Sequence, residues 1–139
     1  MYGALDISVS GMIAQRTRLT AISANIANRT ATYADGTPYR ARQVIMAPGD
    51  PSARHGEGRR LGVHVSEIQA DPSPFNLRWD PSNPLALKEG PQAGYVRESN
   101  VNPIMEQINQ LEATRAYEAN AVAAEATKAM VGQALRLLG

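Results

Sequence analysis

Helix-period sequence occupies the two ends of this 139-residue chain and almost none of its middle, and that distribution restricts the fold more than any other feature. In the first segment Leu5, Val9, Met12, Leu19, Ile22 and Ile26 recur at steps of three or four residues, or their sums, which is the spacing of one face of an α-helix. A helix over residues 3–28 would be about 38 Å long. It runs into Ser23-Ala24-Asn25-Ile26-Ala27-Asn28-Arg29-Thr30, after which the composition turns to Thr, Tyr, Asp, Gly and Pro. Asparagine tolerates the left-handed backbone that ends helices, and its amide can satisfy the orphan groups there. Taken as residues alone, the stretch is a helix C-cap written twice. Arg16 and Ser23 interrupt the apolar stripe, which argues against a strict two-stranded heptad seam. Gly11 inside the helix costs roughly 1 kcal/mol relative to alanine. Close approach of another backbone would explain it, and so would a harmless weak spot.

The second helix is predicted from Asn102 onward. Asn102-Pro103 supplies an N-cap and a first-turn proline, with Glu106 one position beyond the strict capping-box site. Ile104, Ile108 and Leu111 carry its apolar stripe. Beyond Glu112 it is dominated by alanine, including Ala119, Ala123 and Ala126. Alanine favours helix and leaves a narrow cylinder that other backbones can approach.

Between the helices, Asp35-Gly36-Thr37-Pro38 is a turn signal. Tyr39–Met46 is a predicted strand with Tyr39, Ala41, Gln43 and Ile45 on one face. The Pro-, Gly- and Arg-rich stretch around 48–60 is expected to be a mobile loop. Leu61–Ile68 and Phe75–Trp79 alternate as half-buried strands, and Gly94–Arg97 is a short last one. Three or four such strands would make one small sheet that needs a surface to pack on. With one Trp, one Phe and five Tyr, an independent core is thin, so much of the burial is expected to come from other chains.

Most chemistries are excluded. The chain has no cysteine, so disulfide and thiolate functions are out. Its two histidines, His55 and His64, lack companions at zinc-ligand spacing, and no nucleophile-elbow phrase or phosphate-binding loop occurs. A net charge of +1 points away from nucleic acid, and Arg54, Arg59 and Arg60 have no aromatic platform beside them. We therefore expect no enzyme, cofactor, metal, nucleic acid or small-molecule substrate. The N-terminus lacks the basic and apolar regions of a cleavable signal peptide, and no apolar run approaches the length of a membrane span.

The phrase from Ser23 to Thr30 resembles the N-terminal signature of the flagellar axial proteins, the rod and hook family. That signature runs Ser/Ala-Asn-Ile/Leu-Ala-Asn, followed shortly by Thr. Asp35–Val44, Gly62-Val63-His64-Val65 and Pro81-Ser82-Asn83-Pro84-Leu85-Ala86 resemble the segments that follow in a proximal rod member of the family. Gly94-Tyr95-Val96, Asn100-Val101, Glu106, Ala113–Asn120 and Lys128-Ala129-Met130 are similar to the start and body of its C-terminal helix. Glu98-Ser99 departs from the proline that the family usually has before Asn-Val.

The resemblance implies a structural subunit of the bacterial flagellar basal-body rod. Such a subunit assembles with its own copies and other rod proteins into the axial drive shaft and export channel. It also implies export through the flagellar type III apparatus without a cleaved signal. The competing reading is a secreted coiled-coil adaptor or needle-like component of a type III secretion system. The expected fold is α+β, mainly α. Residues 1–30 and 101–139 would pair as an antiparallel, coiled-coil-like assembly domain, and 31–100 would form a small irregular β-rich middle. Asn25, Ile26, Ala27, Asn28 and Thr30 form the expected assembly motif. Leu5, Val9, Met12, Leu19, Ile22, Ile108, Leu111, Ala119, Ala123 and Ala126 are the expected helix-packing positions. Arg115, Tyr117 and Asn120 are the polar candidates for contacts between subunits.

Overall fold

Two long helices bracket four short strands in the computed structural model, which describes residues 2–49, 51 and 61–138. Helix α1 (Tyr2–Ala27) closes with a turn in which the Asn28 N–H donates to Ala24 O and the Ala31 N–H to Asn28 O. Among the described residues only glycines have positive φ, so neither asparagine ends the helix through a left-handed conformation, contrary to the expected cap geometry. Helix α2 (Pro103–Leu138) starts as predicted: Asn102 Oδ1 accepts from the N–H groups of Ile104 (3.1 Å) and Met105 (3.4 Å), two of the donors that a helix start leaves unpaired. Glu106 takes no part in that cap and turns to α1 instead.

Strands β1 (Arg42–Pro48) and β2 (Val63–Ala70) form one antiparallel pair, and β3 (Asn76–Trp79) and β4 (Tyr95–Glu98) form another. The single small sheet expected from the alternation is thus two two-stranded sheets. The break falls at Asp71-Pro72-Ser73-Pro74, where two prolines remove ladder donors and Asp71 Oδ1 accepts from the Ser73 N–H at 2.9 Å. The expected inward face of the first strand also changes partway. Tyr39 and Ala41 are buried, whereas Gln43 and Ile45 are exposed and Val44 and Met46 half-buried. The Ala41 N–H is held by Asn100 Oδ1 at 2.8 Å, outside the ladder that starts at Arg42, and a bulge between Ile45 and Met46 shifts the register again. The strand persists to Pro48, but most of the stretch expected to be mobile, with Arg54, His55, Arg59 and Arg60, lies outside the described residues.

The helices pack on each other along faces of small and polar residues. On α1 the buried positions are Ser8, Gly11, Ala14, Ala21, Ile22 and Asn25. On α2, Ala113 and Thr127 are buried, and Glu106, Ala116, Asn120 and Ala124 are half-buried. Gly11 lies against the Asn120 amide, Arg18 reaches Asn109 and Glu112, and Asn25 meets Glu106. The other faces of α1 rest on β1 and β2. There Ser10 Oγ accepts from the Val63 N–H at 3.1 Å and donates to Ile7 O at 2.7 Å.

Gly11 is required by its neighbour's side chain, not by a neighbouring backbone. A Cβ at this position would lie 2.8 Å from Asn120 Oδ1, and the Asn120 amide is itself fixed by donation to Ala116 O at 2.8 Å. Gly11→Ala should therefore destabilise the chain by about 1–3 kcal/mol through overpacking, despite alanine's better helix propensity. Adding Asn120→Ala should recover most of that loss in urea unfolding. Equal stability of Gly11→Ala and wild type would show that the seam yields at this point.

Candidate functional site

The end of α1, the strand that follows the first turn and the start of α2 meet around one side chain. Asn25 is 1% exposed, and a buried primary amide has two donors and an acceptor to satisfy. Its Nδ2 donates to Arg42 O at 2.9 Å and to Glu106 Oε1 at 3.2 Å. Its Oδ1 accepts from the Arg42 N–H at 2.9 Å and from the Tyr39 hydroxyl at 3.1 Å. The amide thus takes both backbone groups of Arg42, as a neighbouring strand would, while its remaining bonds reach the core and α2.

Tyr39, with Ala41 and Val101, forms the buried apolar cluster beside this junction. Burial raises the Tyr39 phenol above its ordinary pKa, so the hydroxyl stays a neutral donor to Asn25. Burial also raises the Glu106 carboxyl, against the opposing pull of the Asn25 amide and the Arg18 charge. Asn100 makes a second junction: besides holding the Ala41 N–H, its Nδ2 donates to Asp71 O and Ser73 O, each at 3.3 Å. Arg40 grips the same two carbonyls at 2.8 Å each and lies 4.1 Å over the Phe75 ring. Asn25 and Asn100 thus hold the segment 39–42 between the helices and the β region.

The rest of the expected assembly motif does different work. Asn28 Nδ2 donates to Ala24 O at 2.8 Å, a local bond at the end of its own helix. Ile26, Ala27 and Thr30 are exposed. Thr30 lines an open cleft of about 530 Å³ together with Arg29, Asn76 and Arg78. Arg78 is tied there to Glu98 and Asp80, while Arg29 and Arg97 leave the cleft wall with an excess of positive charge.

Among the expected packing positions, Ile22 is buried, Leu5, Met12 and Leu19 are half-buried, and Val9 is exposed. Ile108 and Leu111 face outward, 46% and 53% exposed, and Ala119, Ala123 and Ala126 are exposed as well. Among the polar candidates, Arg115 and Tyr117 are exposed, whereas the Asn120 side chain turns into the seam against Gly11. Glu112 pairs with Arg18 at 3.4 Å instead of with Arg115 on its own helix. His64 Nδ1–H donates to Gly49 O at 2.8 Å and serves the β1–β2 pair. Sequence reasoning missed Tyr39, Arg42, Asn100 and Glu106 as members of the junction. The available signal was a set of polar residues placed beside predicted core positions.

The two asparagines of one phrase should therefore respond differently to truncation. Asn25→Ala strands the buried Tyr39 hydroxyl, at about 1–3 kcal/mol for an unpaired buried group, and also removes the part-buried bonds to both Arg42 backbone groups. Asn28→Ala removes one local bond and should cost about 1 kcal/mol. Urea unfolding of the single variants checks this contrast, and equal losses would contradict it.

Family models match both ends of the chain. One described as "Flagella basal body rod protein" matches residues 5–32, and one described as "Flagellar basal body rod FlgEFG protein C-terminal" matches residues 92–137. The flagellar basal-body rod protein FlgC of Borreliella burgdorferi is 36% identical over 148 residues, covering 99% of this chain and 97% of that protein. FlgC of Bacillus subtilis is 38% identical, covering 98% and 97% respectively, and FlgC of Aquifex aeolicus is 38% identical, covering 92% and 90%. With its ends matched by rod-protein families and nearly its whole length by FlgC proteins, the chain belongs to the flagellar basal-body rod protein FlgC family.

Proposed function

We propose that this protein is a structural subunit of the flagellar basal-body rod that assembles with its own copies and other rod proteins through its terminal helices. The observation that carries this reading is the near-complete, two-way coverage by FlgC proteins at 36–38% identity. On the same kinship we extend the reading to a position in the proximal rod, within the axial shaft and export channel that span the periplasm, and to delivery by the flagellar type III export apparatus without signal cleavage. The adaptor or needle-component alternative is disfavoured because the relatives matched along the chain are rod proteins.

Residues 1–30 and 101–139 form the assembly domain in this reading, and 31–100 the β-rich middle. An antiparallel, coiled-coil-like arrangement of α1 and α2 is supported by their facing residues. Asn25 meets Glu106, Arg18 meets Glu112 and Gly11 meets Asn120, so contacts move toward the end of one helix as they move toward the start of the other. Continued in that register, the 26 residues of α1 run out before the 36 of α2. Met130, Leu135 and Leu137 then project beyond α1, in keeping with their exposure.

The assembly reading is also supported by what the helix pair leaves uncovered. Ile7, Val9, Ile13 and Ile26 on α1, and Ile104, Ile108, Leu111 and Val122 on α2, are exposed. Apolar residues all round a helix mark it for burial, and large exposed patches mark interaction surfaces. Ile108, Leu111, Ala119, Ala123 and Ala126 are then packing positions between subunits, with exposed Arg115 and Tyr117 as polar contacts beside them.

Cells lacking the native protein and supplied with variants test this assignment. Ile108→Asp and Leu111→Asp should leave unfolding of the isolated chain within about 0.5 kcal/mol of wild type, as changes at exposed positions do, while abolishing incorporation into rods and motility. Ala123→Leu or Ala126→Leu should overpack a contact between subunits by about 1–3 kcal/mol and reduce incorporation without lowering helicity. Normal basal bodies in all four strains would remove this face from the assembly.

A further inference from the structure

Glu106 holds the junction in an unequal way. Its Oε1 accepts from Asn25 Nδ2 at 3.2 Å, but its Oε2 is buried without a hydrogen-bond partner. The groups facing it come from three elements. From α1 there are Asn25 and the Arg18 guanidinium; from the segment entering β1 there is the Tyr39 phenol; and Arg42 lies beyond Tyr39 at the start of β1. Arg18, the one cation acting directly on the carboxyl, is already shared between Asn109 Oδ1 (3.5 Å) and Glu112 Oε2 (3.4 Å). A buried carboxylate oxygen with no partner is costly when ionised and much less so when neutral.

We propose that Glu106 is a proton-operated latch between the helix pair and the β-rich middle. With the carboxyl neutral, the charge penalty is absent and Asn25 stays clamped between Arg42 and α2. Ionisation releases the proton to solvent and, because burial outweighs the favourable Asn25 bond, draws the carboxylate toward water and Arg18. The Asn25 amide then loses its bond to α2, and with it one of the constraints that fix the amide for Tyr39 and Arg42. The latch lies within one chain and acts whatever that chain assembles with.

The carboxyl's folded-state pKa is raised by burial above its ordinary value of 4.5. For an acid shifted upward, folding takes up a proton. The native state therefore loses stability as pH rises from 4.5 through the raised value, and the loss then levels off. Asp35, Asp71 and Asp80 are shifted the other way by hydroxyl hydrogen bonds from Thr37, Ser73 and Ser82. Their contribution is present above 3.8 and is lost only as pH falls below it, so the two effects occupy different windows.

The test uses the full-length chain. Amide exchange at the Arg42 N–H, corrected for intrinsic rates, is followed from pH 4.5 to 8 in wild type and Glu106→Gln. Wild-type protection should fall several-fold across the window, and protection in Glu106→Gln should stay flat. Parallel profiles would overturn the latch. The carboxyl carbon of Glu106 is also titrated by NMR in the wild-type protein, which does not depend on folding of the variant. A midpoint above that of free glutamate supports the proposal, and a midpoint at or below it refutes the proposal.

Discussion

The structure depends on an asparagine amide taking the place of a β-strand. Arg42 begins β1 at the sheet's edge, with its N–H and C=O turned toward α1. Asn25 supplies one acceptor and one donor at 2.9 Å each. A backbone group shielded from water favours a hydrogen-bond partner, so the strand start is favoured where α1 presents that amide. The same side chain takes the Tyr39 hydroxyl and reaches Glu106. One residue therefore sets where the strand begins, how the small apolar cluster sits, and where α2 lies along α1. Asparagine alone has the shape for this, because aspartate has no donor and glutamine carries an extra methylene.

The helix pair follows a related logic. Its seam contains glycine, alanine, serine, threonine and asparagine, with Ala113 fully buried and Gly11 under the Asn120 amide. Small residues let the helices come close, but they remove little apolar area from water, and burial stabilises by about 25 cal/mol per Å². The larger apolar side chains sit on the outside, where Ile104 is 67% exposed. The surface these side chains make is the one that the proposed assembly would cover. That is the expected physical character of a subunit whose relatives are rod proteins.

The β-rich middle is held by polar contacts more than by apolar mass. Asn100 and Arg40 converge on the carbonyls of Asp71 and Ser73, and Trp79 meets Tyr95 edge to face at 4.9 Å while remaining 60% exposed. Two-stranded sheets are marginal by themselves, so these junctions help to hold the region together, and β1 and β2 rest on α1.

Both helices, the Asn102-Pro103 start and three of the four strands to within two residues were legible in the sequence, because helical period, caps and alternation are local properties. The fourth, β1, was expected to start at Tyr39 and instead begins at Arg42. The kinship was legible too, since the motif phrases stand in order along the chain. Which helix face would be the seam was not. Periodicity marks where Leu, Ile and Val recur, and it pointed to Ile108 and Leu111, whereas steric closeness selected smaller residues further along α2, Ala113, Asn120 and Thr127 among them. The two asparagines of Ser23–Thr30 looked equivalent, because capping preference depends on residue type alone. Only the tertiary structure separated them: Asn28 bonds within its own turn, while Asn25 is carried to Arg42, seventeen positions away, and Glu106, eighty-one away. Local pattern determines which segments become helix or strand, but long-range partners of a buried polar group exist only once the chain has closed around it.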